Sequence, residues 1–373
     1  MNKKLHFDAL VIGGGFYGAM VALRLSKNHK LEKIAILERN PKIFSKASLN
    51  NQYRVHGGYH YPRSFNTANR SRINFSKFLR DWPESINKRQ TSLYAIPKAH
   101  SKINANQFLK FCRSIEAKVN PASTKQERLF NKLKFDGIYE VEECCFNPEI
   151  LRKKIREDLK DRNIQTFLNT DVLSITQKSN NLLMIDSHQK DGTPLNFYSD
   201  LIYNCSYSGI NQLKGDVAGP TVKLKHEIAE IVFINSPKEL IGYGITVMDG
   251  PFFSILPTSN ERIHSLSHVR YSPHLSWQDE RDLDPYDKFN SFKKSTRFER
   301  MIRSSDKYVP VLKKSKYIGS KFEIKTMLEK NEIDDGRPIL FENDKNLKNL
   351  YYVLGSKIDN IYDVLDRIDS ELS

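Results

Sequence analysis

Three glycines and one carboxylate carry the plainest chemistry in this chain. Gly13, Gly15 and Gly18 stand in the order Gly-x-Gly-x-x-Gly, and Glu38 follows twenty residues after the last of them. Gly13 permits a tight turn, Gly15 lets backbone approach a pyrophosphate, and Gly18 lets a helix pack closely on a strand. A helix that opens here points free N–H groups and its positive dipole end at the anion. Glu38 can accept hydrogen bonds from ribose hydroxyls. The pattern is that of a dinucleotide site, and alone it does not say which dinucleotide.

A second set of residues could act on a substrate. In an extended segment, His56, Gly58 and His60 share one face, while Tyr59 and Tyr61 take the other. Over residues 263–271, alternation sets His264, Leu266, His268 and Arg270 on one face. Towards solvent such alternation is ordinary. Towards a cleft, a His-x-Arg pair binds an anion through charge-assisted hydrogen bonds.

These groups need elements to hold them. Ala9-Leu10-Val11-Ile12 is a short apolar run of the kind found in a buried parallel strand. The glycine turn follows, then a helix over 19–27 and a second strand over 33–37 that delivers Glu38. This is a β-α-β unit of about 30 residues. A helix over 148–162 and strands over 166–168, 172–175 and 200–205 continue the same style. From residue 251 the pattern changes to β-like runs, with a hairpin through Pro257-Thr258-Ser259-Asn260. A last strand, 350–354, leads through Gly355 into a helix over 361–372.

The chain has 373 residues, 39% hydrophobic and 28% charged, which suits two globular lobes. No apolar run approaches the roughly 18 residues of a membrane span. The opening Met1-Asn2-Lys3-Lys4 leads into a strand-like stretch without a signal-peptide apolar region, so the expected compartment is the cytoplasm. Four cysteines, Cys112, Cys144, Cys145 and Cys205, lack Cys-x-x-Cys spacing and a matching His cluster; free thiols and no metal site are expected. The net charge of +15 is read as spread along the chain and interleaved with Asp and Glu, which argues against a nucleic-acid footprint.

Residues 45–64, SKASLNNQYRVHGGYHYPRS, resemble the second FAD-contacting loop of the D-amino-acid-oxidase-like superfamily. The likeness is nearest to L-2-hydroxyglutarate and glycerol-3-phosphate dehydrogenases, which carry a small-residue, Asn-containing loop followed by His-x-Gly-x-x-Tyr. Residues 335–339 (DGRPI) and 352–360 (YVLGSKIDN) are similar to that family's closing flavin-binding strand and loop. The middle, about 80–250, matches loosely. The resemblance implies FAD and an α/β fold: an interrupted Rossmann-type FAD-binding domain over 1–80, 140–215 and 323–373. A mixed β-sheet substrate domain over 81–139 and 216–322 would be inserted in it, over the isoalloxazine ring.

It also implies site residues. Gly13, Gly15, Phe16, Tyr17, Gly18, Glu38 and Arg39 would hold FAD from the first unit. Ala47, Ser48, Asn51 and Val172 would hold it from later loops, and Gly355, Ser356, Lys357 and Asn360 from the closing turn. His56 is the first choice for a flavin-proximal role, with His268, Arg270 and Arg337 on the substrate. Only one Gly-x-Arg-Pro-type element is present, so Arg337 is either the carboxylate-gripping Arg of the amino-acid-oxidising branch or a structural one. The function expected is oxidation of a small polar, anionic substrate (2-hydroxy acid, polyol phosphate or amino acid) by hydride transfer to flavin. An acceptor such as oxygen or a quinone would take the electrons. A flavin monooxygenase using NAD(P)H and a non-catalytic, tRNA-associated FAD protein are the alternatives.

Overall fold

Leu10 and Ile12 are as buried as Ala9 and Val11, so the strand Leu5–Ile12 is covered on both faces and must lie inside a sheet. The computed structural model describes residues 5–29, 31–281, 283–329, 336 and 338–373. In it, Leu5–Ile12 lies between Ile34–Glu38 and Pro194–Asn204, all parallel. Gln165–Leu168 extends the parallel set beyond Ile34–Glu38, and Leu350–Leu354 pairs with the end of Pro194–Asn204. Thr170–Gln177 and Leu183–Gln189 add an antiparallel meander, and Lys214–Gly215 and Leu340–Asn343 complete a nine-stranded sheet.

Ala9, Val11 and Ile36 pack under the helices Phe16–Asn28, Pro148–Asp161 and Ile361–Leu372. Leu10, Ile12, Ala35 and Leu37 face the opposite way, onto Ile175, Ile185, Leu213 and Leu340. The carboxyl ends of the three central strands and of Leu350–Leu354 therefore open on one side, where ligands bind in such sheets.

A second nine-stranded sheet is built on the strand Leu224–Asn235. Its burial alternates strictly, with Leu224, Ile228, Val232 and Ile234 in the core. One edge pairs along its length with Lys316–Leu328; the other is shared by Pro273–Gln278 and Ile263–His268. Phe253–Pro257, Tyr243–Val247, Thr91–Pro97, Phe135–Val141 and Val119–Pro121 complete the sheet. Phe253–Pro257 and Ile263–His268 form the hairpin expected around Pro257. A cavity of about 960 Å³ lies between this sheet and the strand ends of the first.

Candidate active site

The glycine turn is fixed by two close approaches. Gly13 has φ +100°, and a Cβ there would stand 2.7 Å from the Cys205 carbonyl oxygen. At Gly18 a Cβ would fall 1.9 Å from the Gly13 oxygen, so the helix meets the turn only through glycine. Gly15 differs: among the described residues a Cβ there would meet only the Ser48 hydroxyl, at 3.3 Å, and the position faces the cavity. The Phe16 N–H donates to that hydroxyl at 3.0 Å. Phe16 itself is buried edge-on to Phe44, and its backbone lines the turn. Glu38 is buried at the cavity wall. It accepts from Gly14 N–H at 2.6 Å, from Asn40 N–H at 2.8 Å and from the Asn40 amide at 2.5 Å.

Ala47, Ser48, Asn51, Val172 and Arg39 all line the same cavity. Asn51 shapes its loop, donating to the Ala47 and Ser48 carbonyls while its oxygen accepts from Tyr53 N–H. Arg39 pairs with Asp171 at 3.4 Å and Asp284 at 3.3 Å and lies over the Tyr286 ring at 5.5 Å.

The closing strand delivers Gly355 into contact with Tyr17. A Cβ on Gly355 would lie 2.0 Å from the Tyr17 oxygen, whose hydroxyl donates to the Lys357 carbonyl at 2.5 Å. Gly355→Ala should therefore displace Tyr17 and cost about 1–3 kcal/mol of stability. Adding Tyr17→Ala should restore part of the loss, read as a double mutant less destabilised than the sum in urea unfolding.

Lys357 is not a free cation at a helix start. Its side chain is 3% exposed, with Nζ 3.3 Å from Asp359, bonded to Ser71 and 4.8 Å from the Tyr61 ring centre. Burial requires that pairing, because an isolated ammonium would be strongly disfavoured there. Asn360 lies behind the cavity wall, donating to Asp363, and is not a lining residue. Ser356 lines the cavity with a buried hydroxyl that has no hydrogen-bond partner among the described residues.

His56 lines the cavity beside Arg54, His60 and Tyr61. Arg54 and His56 are organised by Glu143, whose side chain is 2% exposed. Glu143 accepts from Tyr94 OH at 2.6 Å and Gly57 N–H at 3.2 Å, and lies 3.6 Å from Arg54 and 3.4 Å from His56 Nδ1. Burial alone would raise the Glu143 carboxyl, but Arg54, His56 and Tyr94 outweigh it and hold it at about 2. Burial lowers the His56 imidazole below its usual value despite the Glu143 charge, so the ring is neutral at pH 7. Arg54, Glu143 and Tyr94 were not among the expected residues. Arg54 stands two places before His56 in the quoted loop, which was a usable signal; nothing local marks Glu143.

The strand expected over 263–271 ends at His268. The Ser272 N–H returns to the His268 carbonyl at 2.8 Å, and the turn breaks the alternation. Arg270 is consequently exposed and does not line the cavity, contrary to the expected face. His268 does line it, buried, with Nε2 on Ser304 at 2.9 Å and Nδ1 accepting from Arg270 N–H at 3.1 Å. Burial and the nearby Arg270 push it down to about 4, a neutral ring whose nitrogens are both engaged. His264 bonds to Ser236 and the Tyr243 carbonyl and does not line the cavity. Arg337 lies outside the described residues.

A glycine cradle, an uncapped helix N-terminus, an acceptor carboxylate and the unpartnered Ser356 hydroxyl together fit a bound dinucleotide. The family model for FAD-dependent oxidoreductases (DAO) matches residues 8–357. The chain belongs to this family. A relative from Fusarium mangiferae, FAD-dependent monooxygenase FPY4, is 24% identical over 384 residues, spanning 98% of this chain and 93% of that protein. The fold is that of glycine oxidase from Geobacillus kaustophilus, with TM-score 0.73, 14% identity, and 99% and 95% of the two chains covered. L-α-glycerophosphate oxidase from Mycoplasma pneumoniae, with FAD bound, superposes at TM-score 0.74 with 13% identity over 98% and 94%. This DAO-family protein is thus a flavoenzyme whose cofactor is FAD. When bound, FAD supplies the acceptor for a hydride, that is, two electrons and one proton.

Proposed function

We propose that this flavoenzyme oxidises a C–H bond next to a hydroxyl or amine in a small, polar, anionic substrate. A 2-hydroxy acid, a polyol phosphate and an amino acid are the classes that fit. The observation that carries the reading is the Arg54–His56–His60 cluster on the cavity wall. Arg54 uses only Nη1 in its hydrogen bonds to Tyr94 and His60 among the described residues, leaving Nε and Nη2 donors for an anion. His56, neutral and at the cavity surface, is the group to take a hydroxyl proton. Gly13, Gly15, Ser48, Glu38 and Ser356 are assigned to FAD. For the lobes we propose 1–80, 140–215 and 329–373 for FAD and 81–139 and 216–328 for substrate; the junction expected at 322/323 moves to Leu328 because Lys316–Leu328 pairs with Leu224–Asn235 throughout. Four buried free thiols suit a reducing, cytoplasmic setting.

Anaerobic bleaching of the flavin by a panel of hydroxy acids, polyol phosphates and amino acids tests the substrate class. No bleaching by any of them overturns it. His56→Asn should keep FAD but lower kcat by about 10²–10⁴-fold. Wild-type kcat/KM should fall as pH drops below the usual imidazole range, since His56 is lowered and protonates only there. A profile that His56→Asn leaves unchanged removes the base role.

The name of the Fusarium relative favours one second reading, hydroxylation with NAD(P)H as reductant. Rapid flavin reduction by NADPH without any other substrate would replace the first reading with this one.

A further inference from the structure

The positive charge of this chain is not evenly spread. Residues 293–321 hold ten Lys or Arg against two Asp or Glu, a net +8 of the total +15. This segment folds on itself at the outer end of the second sheet. The helix Phe298–Ser305 buries Met301 and Ile302 and leaves Arg300 and Arg303 exposed. With eight residues it is only about 12 Å long. Its first residue, Phe298, packs on Tyr317 with ring centres 5.3 Å apart, and the hydroxyls of Thr296 and Ser320 lie 3.3 Å apart. The strand Lys316–Leu328 is therefore drawn against the helix, and among the described residues it pairs only with Leu224–Asn235, leaving its other edge free.

Part of the charge is used internally. Arg297 donates to the Pro273 carbonyl, Lys314 pairs with Glu239, and Lys321 reaches towards Leu49 and Tyr53. Lys293, Arg300, Arg303, Lys307, Lys313 and Lys316 are exposed and form no ion pair among the described residues. Beside them Tyr317 and Ile318 are 43% and 50% exposed.

We propose that this face docks on an anionic lipid surface, making the flavoenzyme a peripheral membrane protein. Basic side chains around exposed aromatic and aliphatic groups match the two components of such a surface, the charged headgroups and the acyl boundary. An aliphatic side chain offers nothing to a phosphodiester backbone, so the pairing of Ile318 with the lysines favours lipid over nucleic acid. No helix among the described residues is long and apolar enough to span a bilayer, so attachment is to the surface. The inference does not depend on the substrate proposed above.

Co-sedimentation of the flavin-loaded protein with vesicles tests it. The protein should pellet with phosphatidylcholine vesicles containing roughly one third phosphatidylglycerol, remain in solution with phosphatidylcholine alone, and be released by high salt. Arg303→Gln/Lys313→Gln/Lys316→Gln should weaken binding by about a hundredfold while flavin absorbance and Tm stay unchanged. Tyr317→Ser/Ile318→Ser should weaken binding with little change in salt dependence. A control, Lys125→Gln/Lys153→Gln/Lys190→Gln, removes equal charge elsewhere on the surface and should bind as wild type. Absence of pelleting, or equal loss in the control, overturns the proposal. So does tight binding of a short RNA that the patch variant loses while vesicles are ignored.

Discussion

Gly15→Val should yield a folded protein that purifies colourless. The position faces the cavity, and among the described residues beyond its chain neighbours and its own helix the added Cβ meets only the Ser48 hydroxyl, at 3.3 Å, a contact that a small rotation relieves. The branched side chain would instead occupy the place of the pyrophosphate. FAD affinity should drop at least a hundredfold, on the order of 3 kcal/mol. The far-ultraviolet circular dichroism should match wild type, and the flavin band should be missing after gel filtration. Gly18→Val provides the contrast: its Cβ would sit 1.9 Å from the Gly13 oxygen, so this variant should fail to accumulate as soluble protein. A yellow Gly15→Val protein would show that the pyrophosphate lies elsewhere.

The second large effect is on stability. Glu143→Leu should cost about 3–5 kcal/mol, because it leaves the buried Arg54 charge uncompensated and strips Tyr94 and Gly57 of their acceptor. Glu143→Gln should cost less, since the amide oxygen still accepts one of those bonds. The pH dependence follows from the same carboxylate. Its folded value of about 2 lies below the ordinary 4.5, so its stabilisation is complete above 4.5 and is lost as pH falls towards 2. The amount at stake is about 3 kcal/mol. Urea unfolding of wild type and Glu143→Gln between neutral and acid pH should show the gap between them closing over that window. A gap constant with pH would mean that Glu143 is not ionised in the folded protein.

Both predictions bear on how far the sequence could be read. Gly13, Gly15, Gly18 and Glu38 were legible because a dinucleotide turn is local. Its backbone needs glycine at fixed spacing, and the strand and helix that flank it lie within the same forty residues. The loop around His56 and the turn at Gly355 were legible through a family likeness that carries whole segments. The same likeness could not say that Gly355 accommodates the Tyr17 phenol, or that Lys357 turns inward to Ser71, because both depend on elements more than 280 residues apart meeting in space.

Alternation misled at Arg270. It describes a strand as long as the strand lasts, and the chain turns at His268, where the Ser272 hydroxyl accepts the His268 N–H. Glu143 shows the other limit. Nothing around Glu142-Glu143-Cys144-Cys145 marks it, yet it gathers Gly57, Arg54, His56 and Tyr94 from 49 to 89 positions away. The dinucleotide turn, the β-α-β unit and the family likeness could be read from the chain, since they rest on backbone conformation and short-range pattern. Which charges face the cavity and which are neutralised in the core could not, because burial and ion pairing are set by which distant segments pack together.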